Sequence, residues 1–211
     1  MKKDIVLIGG GGHCHAVIDV IETTGLFNIV GILDKPELHE THVLGYKVIG
    51  NDSDIPKLIE KYQHFVITVG HIKNANTRIE LYNKVKSVGG TFPTIISPLS
   101  HIGKGATIGD GTVIMHHALI NANVKLGINN IINTKALIEH DTVINHHNHI
   151  STNTVINGNC IIKNATFIGS GTIVNQGIKI VSNAIVGAMS LVNRNIDTRG
   201  TYTGIPIKMI K

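Results

Sequence analysis

The stretch Ile132-Asn133-Thr134-Lys135-Ala136-Leu137-Ile138-Glu139-His140-Asp141-Thr142-Val143-Ile144 carries an isoleucine at every sixth position, and the spacing continues in both directions. From Ile96 the series runs through Ile102, Ile108, Ile114, Ile120 and Leu126, then on through Ile150, Ile156, Ile162, Ile168, Val174, Ile180 and Val186 to Val192, with no position failing. Four residues after most of these sits a small or β-branched residue, as at Ala118, Ala136, Thr142, Thr154 and Cys160, with Asn130 and Asn148 as polar exceptions. A period of six matches neither the 3.6 of a helix nor the 2 of a flat strand. It marks a parallel β-helix, in which a short strand turns a corner every hexad and the repeated aliphatic residue points inward. A solenoid with no catalysis would show the same periodicity, so function has to be read from the residues between the isoleucines.

The repeat resembles that of the hexapeptide-repeat acyltransferases. The resemblance implies a left-handed β-helix with three hexads per coil, so that residues 18 apart stack at the strand spacing of about 4.8 Å.

Working outward, the segment before the repeat reads as α/β. Ile5-Val6-Leu7-Ile8 ends in Gly9-Gly10-Gly11-Gly12, and His13 to Ile21 carries apolar residues at helical spacing. A strand, glycine turn and helix in this order bring backbone N–H groups to a helix N-terminus, where a phosphate is favoured. In the dinucleotide pattern starting at Gly9, Cys14 stands in place of the third glycine. A second strand, Ile29 to Leu33, ends at Asp34, close to where such folds place a ribose-binding acid, although Asp34-Lys35-Pro36 is also turn chemistry. An excursion around Gly45 to Gly50, a helix near Asp54 to Lys61, a third strand from Phe65 to Val69 and a helix from Ala75 to Ser87 follow. The chain therefore divides into a Rossmann-like α/β domain (1–95), a β-helix (96–197) and a tail (198–211). No Gly/Ser-rich or Pro-rich linker separates the first two, which predicts direct packing.

Composition narrows the functional classes. Aromatics make up 4% of the chain and Trp is absent, which suits an interior of Ile and Val. The net charge of +5 is spread along the chain, without the basic runs that mark nucleic-acid binding. Cys14 and Cys160 show neither metal nor disulfide spacing, and Cys160 falls on an inward position. With no stretch of transmembrane length, a cytoplasmic protein without nucleic-acid or membrane partners is expected.

Six of the thirteen histidines lie in the middle hexads, at 116, 117, 140, 146, 147 and 149. His140 stands out because Asp141 follows it; a carboxylate bonded to an imidazole fixes its tautomer and stabilises the imidazolium formed on proton uptake. Adjacent strand residues face opposite ways, so this pairing requires a corner. Gly158, 18 residues on, would then sit one coil along and offer a backbone N–H beside the base, as a developing oxyanion requires.

Together, Gly9 to His13, Ile132-Asn133-Thr134, Leu137-Ile138-Glu139-His140, Ile150-Ser151-Thr152-Asn153 and Asn157-Gly158 make the chain similar to the bacterial sugar acetyltransferases that modify sialic acid or UDP-4-amino-sugars. The resemblance implies an acetyl-CoA-dependent acyltransferase with no metal, working by direct transfer. It implies that His140 is the general base, that Asp141 stands for the family's acidic neighbour, and that Gly158 donates to the thioester carbonyl. Asn133 and Thr134 would belong to the sugar pocket, and Gly11, Gly12, His13, Asp34, Lys35 and Gly70 to the nucleotide-sugar pocket. His149, Ser170 and Ala188 would contact acetyl-CoA. The tail Gly204-Ile205-Pro206-Ile207-Lys208 would turn Lys208 toward coenzyme phosphates, with a solvated lysine at a terminal turn as the alternative. Lys35 replaces an acid, and His71 an Asn, seen in relatives. The family also implies a homotrimer. N-acetylation of a UDP-4-amino-sugar is the expected reaction and O-acetylation of a sialic acid the alternative. A zinc enzyme like the γ-carbonic anhydrases fits less well, because no three histidines have that family's spacing. A non-catalytic nucleotide-sugar-binding protein is the remaining reading.

Overall fold

The computed structural model describes residues 2–211. Its first part is a five-stranded sheet. Strands β1 (Lys3–Ile8), β2 (Phe27–Leu33), β4 (Tyr46–Gly50) and β5 (His64–Ile67) run parallel, and β3 (His42–Val43) pairs antiparallel with β4, giving the order β3-β4-β2-β1-β5. Helix α1 (Gly12–Thr24) follows β1, a short α2 (Ile55–Leu58) follows β4, and α3 (Asn76–Ser87) follows β5. The excursion around Gly45 to Gly50 is therefore a full strand of the sheet. Its run Tyr46-Lys47-Val48-Ile49-Gly50 is too short for period alone to reveal it. The helix expected from Asp54 to Lys61 spans only Ile55–Leu58, preceded by a 3₁₀ turn at Asp52–Asp54.

From Ile95–Ile96 to Leu191–Val192 the chain forms two-residue strands, each ending on an inward residue of the six-residue series. Pairing is parallel between residues 18 apart, as in Leu119↔Leu137↔Val155↔Ile173, so three hexads close one coil of the left-handed β-helix. One corner residue per hexad has positive φ, including Asn123, Asn129, Lys135, Asp141, His147, Asn153 and Asn159. Asn tolerates this left-handed conformation better than most residues, which accounts for its abundance here. Ile114, Ile132, Ile150 and Ile168 stack inside at 0% exposure. Truncating one such side chain would cost about 2–5 kcal/mol, because a rigid stack cannot collapse into the gap. The exceptions Asn130 and Asn148 continue the stack with polar bonds: Asn130 Oδ1 accepts the Asn148 N–H and Asn148 Oδ1 accepts the Thr166 N–H, both at 2.8 Å.

The three faces differ in what their outward residues meet. On the first, Ile95, Val113, Ile131, His149 and Phe167 are buried, and Ile95 and Val113 share a core with Ile5, Val17 and Ile18 of the α/β domain. On the second, Leu119 and Ile173 are exposed and Leu137, Val155 and Leu191 are half-buried, leaving an uncovered aliphatic stripe. The third carries Lys125 and Lys179 in the open. Beyond Val192, Thr201–Thr203 and Lys208–Met209 form a hairpin that extends the first face. No helix is long and apolar enough to cross a membrane.

Candidate active site

His140 and Asp141 occupy a corner after the second face, where the positive φ of Asp141 (59°) turns its carboxylate back toward the ring. Nδ1 of His140 lies 2.8 Å from Asp141 Oδ2. A carboxylate only accepts, so Nδ1 carries the proton and Nε2 is left with a free lone pair. The bond from His140 holds the Asp141 carboxyl below the usual carboxylate range. Glu139 steadies the same corner, accepting from Asn121 Nδ2 at 2.8 Å and from the His140 N–H at 3.4 Å.

Gly158 sits one coil along, and a Cβ placed there would lie 2.7 Å from both Cε1 and Nε2 of His140. Only glycine lets the backbone approach the imidazole this closely. In the same column the N–H of Ala122 bonds to Asn121 Oδ1 and that of His140 to Glu139. The Asn157 amide instead donates to Val174 O at 2.9 Å, and the Gly158 N–H has no acceptor among the described residues. A base with an open lone pair thus lies beside an unused backbone donor, an arrangement suited to deprotonating a nucleophile and holding the resulting oxyanion.

The α/β domain supplies a separate cavity of about 650 Å³ along the C-terminal ends of β1, β2, β4 and β5. Gly11, Gly12 and His13 line it where α1 begins with no side-chain cap. A Cβ at Gly11 or Gly12 would meet nothing within 4 Å, so the chain's own packing does not demand glycine there, and the open helix N-terminus remains available to an anion. Asp34 lines the cavity too, but both its oxygens accept backbone N–H groups, from Gly10 at 2.5 Å and Lys35 at 2.7 Å. Lys35 and Gly70 complete the expected set.

His149, expected at the coenzyme, lies under the α/β domain with 9% of its surface exposed. Its Nδ1 is 2.8 Å from the His71 carbonyl, which can only accept, so Nε2 bears the lone pair and takes the Asn133 amide at 3.3 Å. Asn133 Oδ1 in turn accepts the Thr134 N–H. Burial lowers the pKa of His13 and His71 to about 3 and of His149 to about 4, with the nearby Arg78 charge acting in the same direction. Thr134, Ser170 and Ala188 fall in one column at a corner beside the first face, with Thr152 between the first two, and Ser170 Oγ lies 2.8 Å from Ser151 Oγ. Lys208 is exposed on the terminal hairpin. No group of three or more His, Cys, Asp or Glu side chains that could hold a metal occurs among the described residues.

Two junction pins escaped the sequence reading. Arg78, fully buried, donates to Ile67 O, Val69 O, Asn129 O and Asn129 Oδ1, tying the end of β5 to a β-helix corner, and burial lowers its pKa to about 9. His116 bridges Ser97 Oγ at 2.6 Å and Asp19 Oδ2 of α1 at 2.8 Å. The available signal was slight: Arg78 is the only arginine before Arg194.

Fold and site together define an α/β domain with a glycine-lined cavity joined to a hexapeptide β-helix that carries an oriented histidine. Residues 4–85 match the PglD N-terminal domain. No curated protein sequence matches the chain. Among solved structures, a variant of perosamine N-acetyltransferase from Caulobacter crescentus in complex with CoA and GDP-perosamine is 27% identical, with 99% of this chain and 97% of that one covered and a TM-score of 0.93. The acetyltransferase domain of PglB from Neisseria gonorrhoeae in complex with acetyl coenzyme A is 26% identical over 100% of both chains, with a TM-score of 0.92. WeeI from Acinetobacter baumannii, at 21% identity, 99% and 100% coverage and a TM-score of 0.88, shares the fold.

Proposed function

We propose that this chain is an acetyl-CoA-dependent acyltransferase that acetylates the amine of a nucleotide-linked 4-amino-sugar. The carrying observation is the pairing of His140, oriented by Asp141, with the free N–H of Gly158 one coil along. The similar C. crescentus enzyme binds CoA and GDP-perosamine, and a histidine is the residue replaced in two of its variants. His140 Nε2 takes the proton from the amine as its nitrogen attacks the thioester carbonyl. The Gly158 N–H stabilises the oxyanion, and collapse expels the coenzyme A thiolate. Ser170, Ala188 and Lys208 contact the coenzyme, and Asn133 and Thr134 contact the sugar, with His149 holding Asn133 in place.

The cavity on the α/β domain is lined by no β-helix residue, and His140 lies at a different corner from the face that this domain covers. One chain therefore needs a neighbour to bring nucleotide-sugar and base together, and the bare aliphatic stripe beside His140 offers the contact in a homotrimer. The test is acetyl-CoA-dependent thiol release with nucleotide-linked 4-amino-sugars and with a sialic acid in parallel. Turnover with the amino-sugar supports the reading; turnover with the sialic acid alone moves the enzyme to O-acetylation.

A further inference from the structure

The cavity has a direction. Its β5 end, at Gly70, adjoins the β-helix through His71 and His149, and its other end, past the turn after β2 and the end of β4, is lined by Pro36, Leu38, Asn51 and Asp52. The glycine turn lies between them. A sugar bound for acetylation must face the β-helix and a diphosphate must sit on the turn. That leaves the β2/β4 end for the nucleobase, an orientation that rests on the nucleotide-sugar reading above. His13, at the sugar side, keeps a buried Nε2 with no partner, a second sign that the cavity is built around a ligand.

Three acids stand near the base end, and two are already engaged. Asp34 accepts from Gly10 and Lys35, and Asp54 accepts from the Asn51 N–H at 2.8 Å. Asn51 Oδ1 is taken by Ser53. Asp52, an exposed residue lining the cavity, has no hydrogen-bond or ion-pair partner among the described residues, and desolvation raises its pKa against the opposing charge of Lys84.

The geometry points to Asp52 as the base-reading residue and to guanine as the base. Guanine alone presents two adjacent donors, N1–H and N2–H, which match the two oxygens of one carboxylate, and beside them an acceptor, O6, that suits a cation such as Lys35, an exposed residue lining the same end. Uracil and thymine offer a single N–H flanked by two carbonyl oxygens, which a carboxylate repels.

Calorimetric titration of the full chain with GDP, IDP, UDP and dTDP tests this directly. GDP should bind about tenfold or more tightly than UDP or dTDP, and IDP, lacking the N2 amine, should bind about tenfold more weakly than GDP. Asp52→Ala should weaken GDP about 10–100-fold, at least to the level of IDP, while UDP, freed of the repulsion, holds its affinity or binds a few-fold more tightly. UDP or dTDP binding as tightly as GDP to the wild-type chain, or an equal loss for every diphosphate in Asp52→Ala, overturns the base assignment and leaves the nucleotide-sugar reading standing. Binding of none of the four sinks both.

Discussion

His140 and His149 lie nine residues apart on the same repeat and end in opposite environments. His140 sits at an open corner, half exposed, with Asp141 to keep Nδ1 protonated and Nε2 free. His149 lies under the α/β domain among His13, His71 and Phe167, with a carbonyl on one nitrogen and an amide on the other. The same residue type stays open to solvent, as the proposed base, where the solenoid is bare and becomes a buried neutral ring where it is covered. What separates them is the second domain, since the β-helix treats every hexad alike.

The sharpest way to break this comparison is to remove each ring in turn. His140→Ala should lose about 10²–10⁴-fold in kcat with an unchanged circular dichroism spectrum, the range that general-base catalysis supplies. His149→Ala should keep kcat within about tenfold while lowering Tm, since it removes a buried, bonded ring. Equal losses of kcat in steady-state assays would erase the distinction.

Gly158→Ala should follow, with kcat falling about 10²-fold. A methyl group 2.7 Å from the His140 ring must push the imidazole off its position, while the exposed corner absorbs the change with little loss of Tm. A crystal structure of the variant with the ring unmoved and activity retained would remove Gly158 from the mechanism.

On the covered side, Arg78→Ala should destabilise the protein by about 2–3 kcal/mol, because the carbonyls of Ile67, Val69 and Asn129 lose their donors in a dry junction. Urea unfolding measures this, and a change below about 0.5 kcal/mol would mean that water replaces the guanidinium.

The smallest effect is the pH slope. His13, His71 and His149 have folded pKa values of about 3 to 4, below the unfolded value near 6.5, so the unfolded chain binds more protons between these limits. Stability should be full above about pH 6.5 and fall toward pH 4 by about 1.4 kcal/mol per unit for each proton taken up on unfolding. His149→Gln should flatten the Tm-against-pH curve by one proton's share; an unchanged slope would place the uptake elsewhere.

Much of this was legible beforehand because the repeat is local. Once three hexads make a coil, position 158 must stack on position 140, and a residue after a corner base can turn back to it. The β4 strand was missed because its five residues carry no decisive period, and the Arg78 pin because α3 is otherwise an ordinary polar helix. Asp34 sits in the cavity as expected, yet one oxygen is taken up by Gly10 of the glycine turn and the other by the Lys35 N–H, an exchange of partners invisible to motif spacing.

The six-residue period was enough to set the solenoid and which side chains point inward, and the resemblance to hexapeptide acyltransferases added the three-hexad coil that stacks Gly158 on His140. Only the tertiary structure decided which face the α/β domain covers, and with it which histidines are neutral and buried and which acid in the cavity remains free. Those outcomes depend on contacts between residues 50 to 100 positions apart, such as Arg78 with Asn129 and Asp19 with His116, and no local pattern encodes the desolvation such contacts impose.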